Sequence, residues 1–279
     1  MGEDSSNLAG VKECATLSAR IEGRLCVITL RRPEALNAFD YEMLTAFRSA
    51  IDAAVADDRV FAIVITGEGR AFCAGIDVSL LQRDAEAGGF SGHAEVKALP
   101  EGPALFAFLL HVPKPVIAAV NGIAAGGGFV LAAMSDLRFA SETARFTTVF
   151  SRRGLIAEHG TSWLLPRQIG TSRALDLLWS SRIVDAEEAL RMGLVDHVVA
   201  PDDLIPAIGR YVDDMAATVA PRAIAAIKRQ VYEHWDRDFL PASIESAELM
   251  QAALAHPDAR EGALSFIERR APRFKGVAE

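Results

Sequence analysis

Asn121-Gly-Ile-Ala-Ala-Gly-Gly-Gly-Phe-Val130 is the stretch on which the reading of this chain turns. Before it, Pro115-Val-Ile-Ala-Ala-Val120 is an unbroken apolar run, the pattern of a strand buried on both faces. After it, residues 129–134 read as an apolar helix. Three glycines opening a helix leave backbone N–H groups unobstructed, at the positive end of the helix dipole. Tight helix–strand packing would use the same small residues. A phosphate loop fits less well, because no Lys-Ser/Thr follows the glycines and G-x-G-x-x-G is absent.

A second segment repeats the arrangement. Val60-Phe-Ala-Ile-Val-Ile-Thr66 is another buried-strand run, and a Gly-rich loop ending in Ala71-Phe-Cys-Ala-Gly-Ile-Asp77 follows it. Working outward, residues 18–21 and 25–30 read as strands turning at Glu22-Gly23. Asp40 is placed to cap a helix whose apolar positions Met43, Leu44, Phe47 and Ile51 recur at helical spacing. Residues 84–94, with three glycines, read as an irregular loop. A helical pattern over 95–111 is ended by Pro113 and Pro115. Residues 136–140 read as a strand again.

Strands followed by helices predict an α/β layered core with largely parallel pairing. From about Asp202 only helices are expected, with breaks at Pro221, Pro241 and Pro257. The chain therefore divides into a loose tail (1–12), a core (13–201) and a C-terminal helical subdomain (202–279) packed on it.

With 279 residues, 51% of them hydrophobic, the chain can bury a sizeable core. A net charge of −8 gives no reason to expect nucleic acid or an anionic membrane as partner. Three widely spaced cysteines without C-x-x-C fit a reducing compartment and no zinc site. The acidic, polar N-terminus is unlike a signal peptide, and no run approaches the roughly 18 to 20 apolar residues of a membrane span. A cytoplasmic location is expected.

Phe-Cys-Ala-Gly-Ile-Asp followed by Asn-Gly-x-Ala-x-Gly-Gly-Gly resembles the paired signature of the enoyl-CoA hydratase/isomerase (crotonase) superfamily. Arg32-Pro-Glu-Ala-Leu-Asn-Ala-Phe39 is similar to the family's early turn. Residues 186–199 resemble its late helix–strand step, and Glu261-Gly-Ala-Leu-Ser-Phe-Ile-Glu-Arg-Arg270 its closing helix. The similarity spans roughly residues 20 to 275.

The resemblance implies a crotonase-like spiral of ββα turns with a C-terminal helical region, assembled as a homotrimer or homohexamer. It implies an acyl-CoA substrate, with coenzyme A as part of that substrate; the sequence shows no ligand cluster or dinucleotide fingerprint, so no metal or redox cofactor is expected. The backbone amides of Ile76 and Gly127 would hold the thioester oxygen as it gains charge. Preorganised donors of this kind are each worth about 3 to 4 kcal/mol in comparable settings. The CoA portion would lie along Arg32, Ala38, Ala74, Gly75, Asp77 and Gly126. Phe266 and Arg269 of the last helix would reach a nucleotide, from the same or a neighbouring subunit; otherwise they are a core Phe and a solvated Arg.

The chain departs from the family's hydratase pattern. Where hydratases carry two glutamates, it has Val130 and Phe150, and neither side chain can transfer a proton. A carboxylate comes later, Glu158 in Ser151-Arg-Arg-Gly-Leu-Ile-Ala-Glu-His-Gly160. Its position resembles that of the acidic residue some family isomerases use as base. One carboxylate suits a 1,3-proton shift, whereas hydration prefers two groups around a water. The expectation is an isomerase-type enzyme with Glu158 as sole acid/base. The alternatives are a hydratase with an atypical site and a non-catalytic acyl-CoA binder. Glu158 could instead pair with Arg152 or Arg153. His159 could assist it, and His93 lies in the Gly-rich loop. Cys73 reads as a small buried residue, and Trp163 to Leu165 as pocket wall or core.

Overall fold

The structure is a computed structural model, and it describes residues 6–8, 14–77 and 105–274. The two apolar runs become β4 (Ala62–Gly67) and β6 (Val116–Val120). They sit in the middle of a seven-stranded sheet with β1 (Ser6–Asn7), β2 (Leu17–Glu22), β3 (Leu25–Leu30), β8 (Leu137–Ser141) and β11 (His197–Val199). Its order is β1-β2-β3-β4-β6-β8-β11, antiparallel at the β1-β2-β3 end and parallel from β3 onward.

Both central strands alternate in register. Ile63, Ile65, Val116, Ala118 and Val120 face the main core. Ala62, Val64, Ile117 and Ala119 face the other side, where Leu204, Ile208 and Val212 cover them. Burial on both faces is why no polar residue interrupts either run.

A second sheet of four short strands lies across the core, in the order β10-β9-β7-β5. It holds β5 (Ala71–Cys73), β7 (Ile123–Ala125), β9 (Arg145–Thr147) and β10 (Val184–Asp185). The chain steps from the large sheet to the small one three times, β4 to β5, β6 to β7 and β8 to β9. Those steps are the ββ part of each turn of the spiral. The three-residue strands inside the two glycine segments carry no periodicity by which the sequence could reveal them.

The described helices are α1 (Tyr41–Ala56), α2 (Gly127–Ala133), α3 (Thr161–Ile169), α4 (Thr171–Ser180), α5 (Ala186–Met192), α6 (Leu204–Thr218), α7 (Pro221–His234), α8 (Phe239–Ala255) and α9 (Pro257–Glu268). Asp40 caps α1 as expected, its Oδ1 accepting from the Met43 amide at 2.8 Å. Met43, Phe47 and Ile51 are buried.

Four expectations need correction. Within the described residues, Ser6–Leu8 is not a loose tail: β1 pairs with β2, and Leu8 is buried. Helix does not run unbroken to His111, because Phe106 adopts φ 63° and only a short 3-10 turn, Ala107–His111, follows; residues 78–104, including His93, lie outside the described residues. Pro241 does not break a helix but sits in the first turn of α8, where its missing N–H has no intrahelical partner to lose. Finally, α6 belongs to the core, since it fills the second face of the large sheet. The helices standing apart are α7, α8 and α9, where Ser265 alone is buried between residues 219 and 274.

Candidate active site

The two glycine segments meet. Gly75 (φ 107°) and Gly126 (φ 52°, ψ −118°) occupy backbone regions that side chains disfavour. A Cβ on Gly75 would stand 3.0 Å from the Gly127 nitrogen, and one on Gly127 would stand 3.6 Å from the Ile76 nitrogen. At Gly128 a Cβ would overlap the Cys73 carbonyl oxygen. Glycine at 75 and 128 is thus required for two backbones to touch.

Main-chain bonding fixes the first segment. Ala74 donates to the Leu36 carbonyl (2.9 Å), Phe39 to Gly75 (2.7 Å) and Asp77 to Phe39 (2.9 Å), which makes Phe39–Ile76 a parallel bridge in which the Ile76 N–H takes no part. Gly127 opens α2, where the first amides have no intrahelical acceptor. Among the described residues neither amide has a backbone acceptor.

The surrounding loop is held by residues the sequence did not single out for this purpose. Asn37 is fully buried at φ 58°. It accepts from the Arg32 amide (2.9 Å) and donates to the carbonyls of Glu68 (2.9 Å) and Ala71 (2.8 Å). Asn121 donates to Ala71 and Gly69 from the other side. Two asparagines at loop corners, a residue type that tolerates positive φ, were the available signal. Arg32 bonds to the Ala38 carbonyl (2.7 Å) and to Asp77 Oδ2 (2.8 Å), with Asp40 at 3.4 Å. Arg32, Ala38, Ala74, Gly75, Ile76 and Asp77 are therefore one cluster, and Gly126 and Gly127 join it across the sheet.

Val130 and Phe150 are buried in the apolar core, at 0% and 3% exposure. Glu158 lies half-buried in the turn between the 3-10 turn Ser151–Arg153 and α3. Its carbonyl accepts from the Thr161 amide (3.0 Å) and Oγ1 (2.7 Å). The turn returns the chain to α2, since Gly160 packs toward Met134 at that helix's end. His159 (φ 53°) accepts at Nδ1 from the Leu105 amide (3.3 Å) and so ties Leu105 to this turn.

Phe266 is 86% exposed on α9, so it is no core residue in the single chain, and Arg269 is exposed at the same helix's left-handed C-cap. Leu164 and Leu165 are core, whereas Trp163 turns toward the C-terminal helices and donates to Asp236 (3.2 Å). Burial pushes the Cys73 thiol up to about 12, so it stays a neutral packing group. Among the described residues no three His, Cys, Asp or Glu side chains gather as a metal site. No described helix is long and apolar enough to cross a membrane.

The sequence model described as enoyl-CoA hydratase/isomerase matches residues 20–277. A probable enoyl-CoA hydratase of Rhodobacter capsulatus is 37% identical over 262 residues, covering 94% of this chain and 98% of that protein. The 1,2-epoxyphenylacetyl-CoA isomerase of Escherichia coli is 32% identical over 259 residues, covering 92% and 97%. Among solved structures, an enoyl-CoA hydratase subunit from Geobacillus kaustophilus superposes with a TM-score of 0.84 at 33% identity, covering 95% and 99%. Match length, sheet order and the glycine segments agree: the chain belongs to the enoyl-CoA hydratase/isomerase family and has the crotonase fold.

Proposed function

We propose that the protein binds an acyl-CoA thioester and moves a proton on its acyl chain, with the Ile76 and Gly127 amides stabilising the enolate and Glu158 as the single acid/base. The observation that carries this reading is the adjacency of two amides that have no backbone acceptor among the described residues, on backbones that only glycine allows to meet. An enolate concentrates charge on one oxygen, and fixed donors aimed at that oxygen favour it over the neutral thioester.

The step balances simply. Glu158 takes a proton from C2 of a 3-enoyl thioester, and the C–H electron pair moves toward the carbonyl to give a dienolate. The same carboxyl returns the proton at C4, leaving the double bond between C2 and C3. Burial of Val130 and Phe150 in apolar core supports one carboxylate over two. The CoA portion would lie along the segments around residues 32–38 and 74–77. Phe266 and Arg269 of a neighbouring copy would reach the nucleotide in a trimer or hexamer of a cytoplasmic enzyme. Coenzyme A enters as part of the substrate, and no further cofactor is proposed.

A second reading, hydration, is favoured by the hydratase names of several relatives. The two separate by experiment. A 3-enoyl-CoA is incubated in heavy water with wild type or Glu158→Gln, and NMR follows double-bond position and deuterium. Migration with deuterium incorporation in wild type, lowered about 10² to 10⁴-fold in the variant, is expected of a lost acid/base. Thioester binding without exchange in either protein would overturn proton transfer. It would leave hydration, tested on a 2-enoyl-CoA, or binding alone.

A further inference from the structure

We propose that Arg32 is a positioning residue: it clamps the 32–40 loop to Asp77 and so keeps the Ile76 amide aimed at the thioester oxygen, rather than holding CoA itself. This rests on the reading of Ile76 as an enolate donor.

Three bonds carry the inference. Arg32 Nη1 donates to the Ala38 carbonyl at 2.7 Å, its Nη2 donates to Asp77 Oδ2 at 2.8 Å, and its own amide donates to Asn37 Oδ1 at 2.9 Å. The guanidinium thus ties residue 38 to residue 77, the two positions flanking the Phe39–Ile76 bridge. Both ion-pair side chains are only 18% exposed, so water screens the pair poorly. Ile76 itself gains nothing from the bridge through its own N–H; its direction is inherited from Phe39 and Asp77 on either side. The loop it leans on is strained, with Leu36 at φ 51° and Asn37 at φ 58° in succession. A planar fork that bonds a carbonyl and a carboxylate at once is suited to hold such a loop, and lysine cannot reproduce it.

The test combines two readouts on wild type, Arg32→Met, Arg32→Lys and Asp77→Asn. Hydrogen exchange over residues 74–77 reports the clamp. The carbonyl 13C shift of a bound, 1-13C-labelled acyl-CoA reports polarisation by the amides. Arg32→Met is expected to speed exchange at the Asp77 amide, return the bound carbonyl shift toward its free value, and lower kcat about tenfold to a hundredfold, the scale of a misplaced catalytic group. Affinity for free CoA stays within about twofold, Arg32→Lys is intermediate, and adding Asp77→Asn to Arg32→Met costs little more, as expected of coupled partners. Unchanged exchange in Arg32→Met overturns the clamp. A tenfold or greater loss of CoA affinity with an unmoved carbonyl shift overturns it in favour of a direct CoA contact. If exchange speeds up but the wild-type carbonyl never shifts on binding, the enolate-donor reading fails instead, and Arg32's role in positioning fails with it.

Discussion

The spiral core and the helices that follow it are built by different means. Up to Val212 the chain buries its own apolar side chains in two clusters, one between the sheets and one under α6. Beyond residue 219, α8 has no buried residue, while Phe239 (85%), Leu240 (67%), Phe266 (86%) and Ile267 (74%) stand in the open. The arm meets the core through the packing of Trp235 against Trp163 and through buried polar ties. Lys228 donates to Asp136 (2.7 Å) and to the Leu109 carbonyl (2.9 Å), and Tyr232 donates to Asp136 (3.0 Å). Burial pushes the Asp136 carboxyl up and the Lys228 ammonium down, each opposed by its partner's charge. The core buries its apolar side chains within itself, whereas the arm leaves several large ones exposed, as a surface that meets another copy or a partner would.

Four substitutions would break or sharpen that contrast. The largest effect is expected for Lys228→Met, which strands a buried carboxylate and should cost about 3 to 5 kcal/mol. Denaturant titration should show the loss, and proteolysis should begin in α7–α9. A neutral result would mean that other contacts hold the arm.

Next is a pair of neighbours within the core. Gly128→Ala drives a methyl into the Cys73 carbonyl and should cost about 3 kcal/mol, measured by thermal unfolding. Gly127→Ala meets only ordinary contacts, 3.4 Å from Gly75 Cα and 3.6 Å from Ile76 N. If the two amides bind the thioester oxygen as proposed, its methyl crowds that oxygen. Stability should stay near wild type while kcat falls about a hundredfold, the scale of a displaced reacting group. If both variants simply unfold, glycine serves packing alone.

The smallest effect on the single chain is expected for Phe239→Ser. An exposed position should change stability by no more than about 0.5 kcal/mol. Light scattering should nevertheless show weakened self-association if a second copy covers α8.

The same contrast marks what was legible in the sequence. Strands β4 and β6 were legible because burial on both faces leaves a continuous apolar run. Helix α1 was legible from Asp40 and its spacing. The second sheet was not, because three-residue strands set among glycines have no period to detect. Phe106 in the left-handed region gave no warning, since nothing in an aromatic residue's identity predicts it. α6 read as one helix among several, because amphipathic spacing shows that a face is buried but not against what. At the site, the glycines announced a close approach of two backbones. The part played by Arg32 stayed hidden, since a basic residue in a loop reads equally as ligand contact or clamp. Asn37 stayed hidden because two of its three bonds reach Glu68 and Ala71, distant in sequence.

The most direct test of the enolate-donor account is a crystal structure of the protein with a non-reacting acyl-CoA bound. The account predicts the thioester oxygen about 2.7 to 3.1 Å from both the Ile76 and Gly127 nitrogens, with the Glu158 carboxylate facing the acyl carbons. A thioester oxygen bonded elsewhere, with those two amides turned to water or to other protein groups, would contradict it.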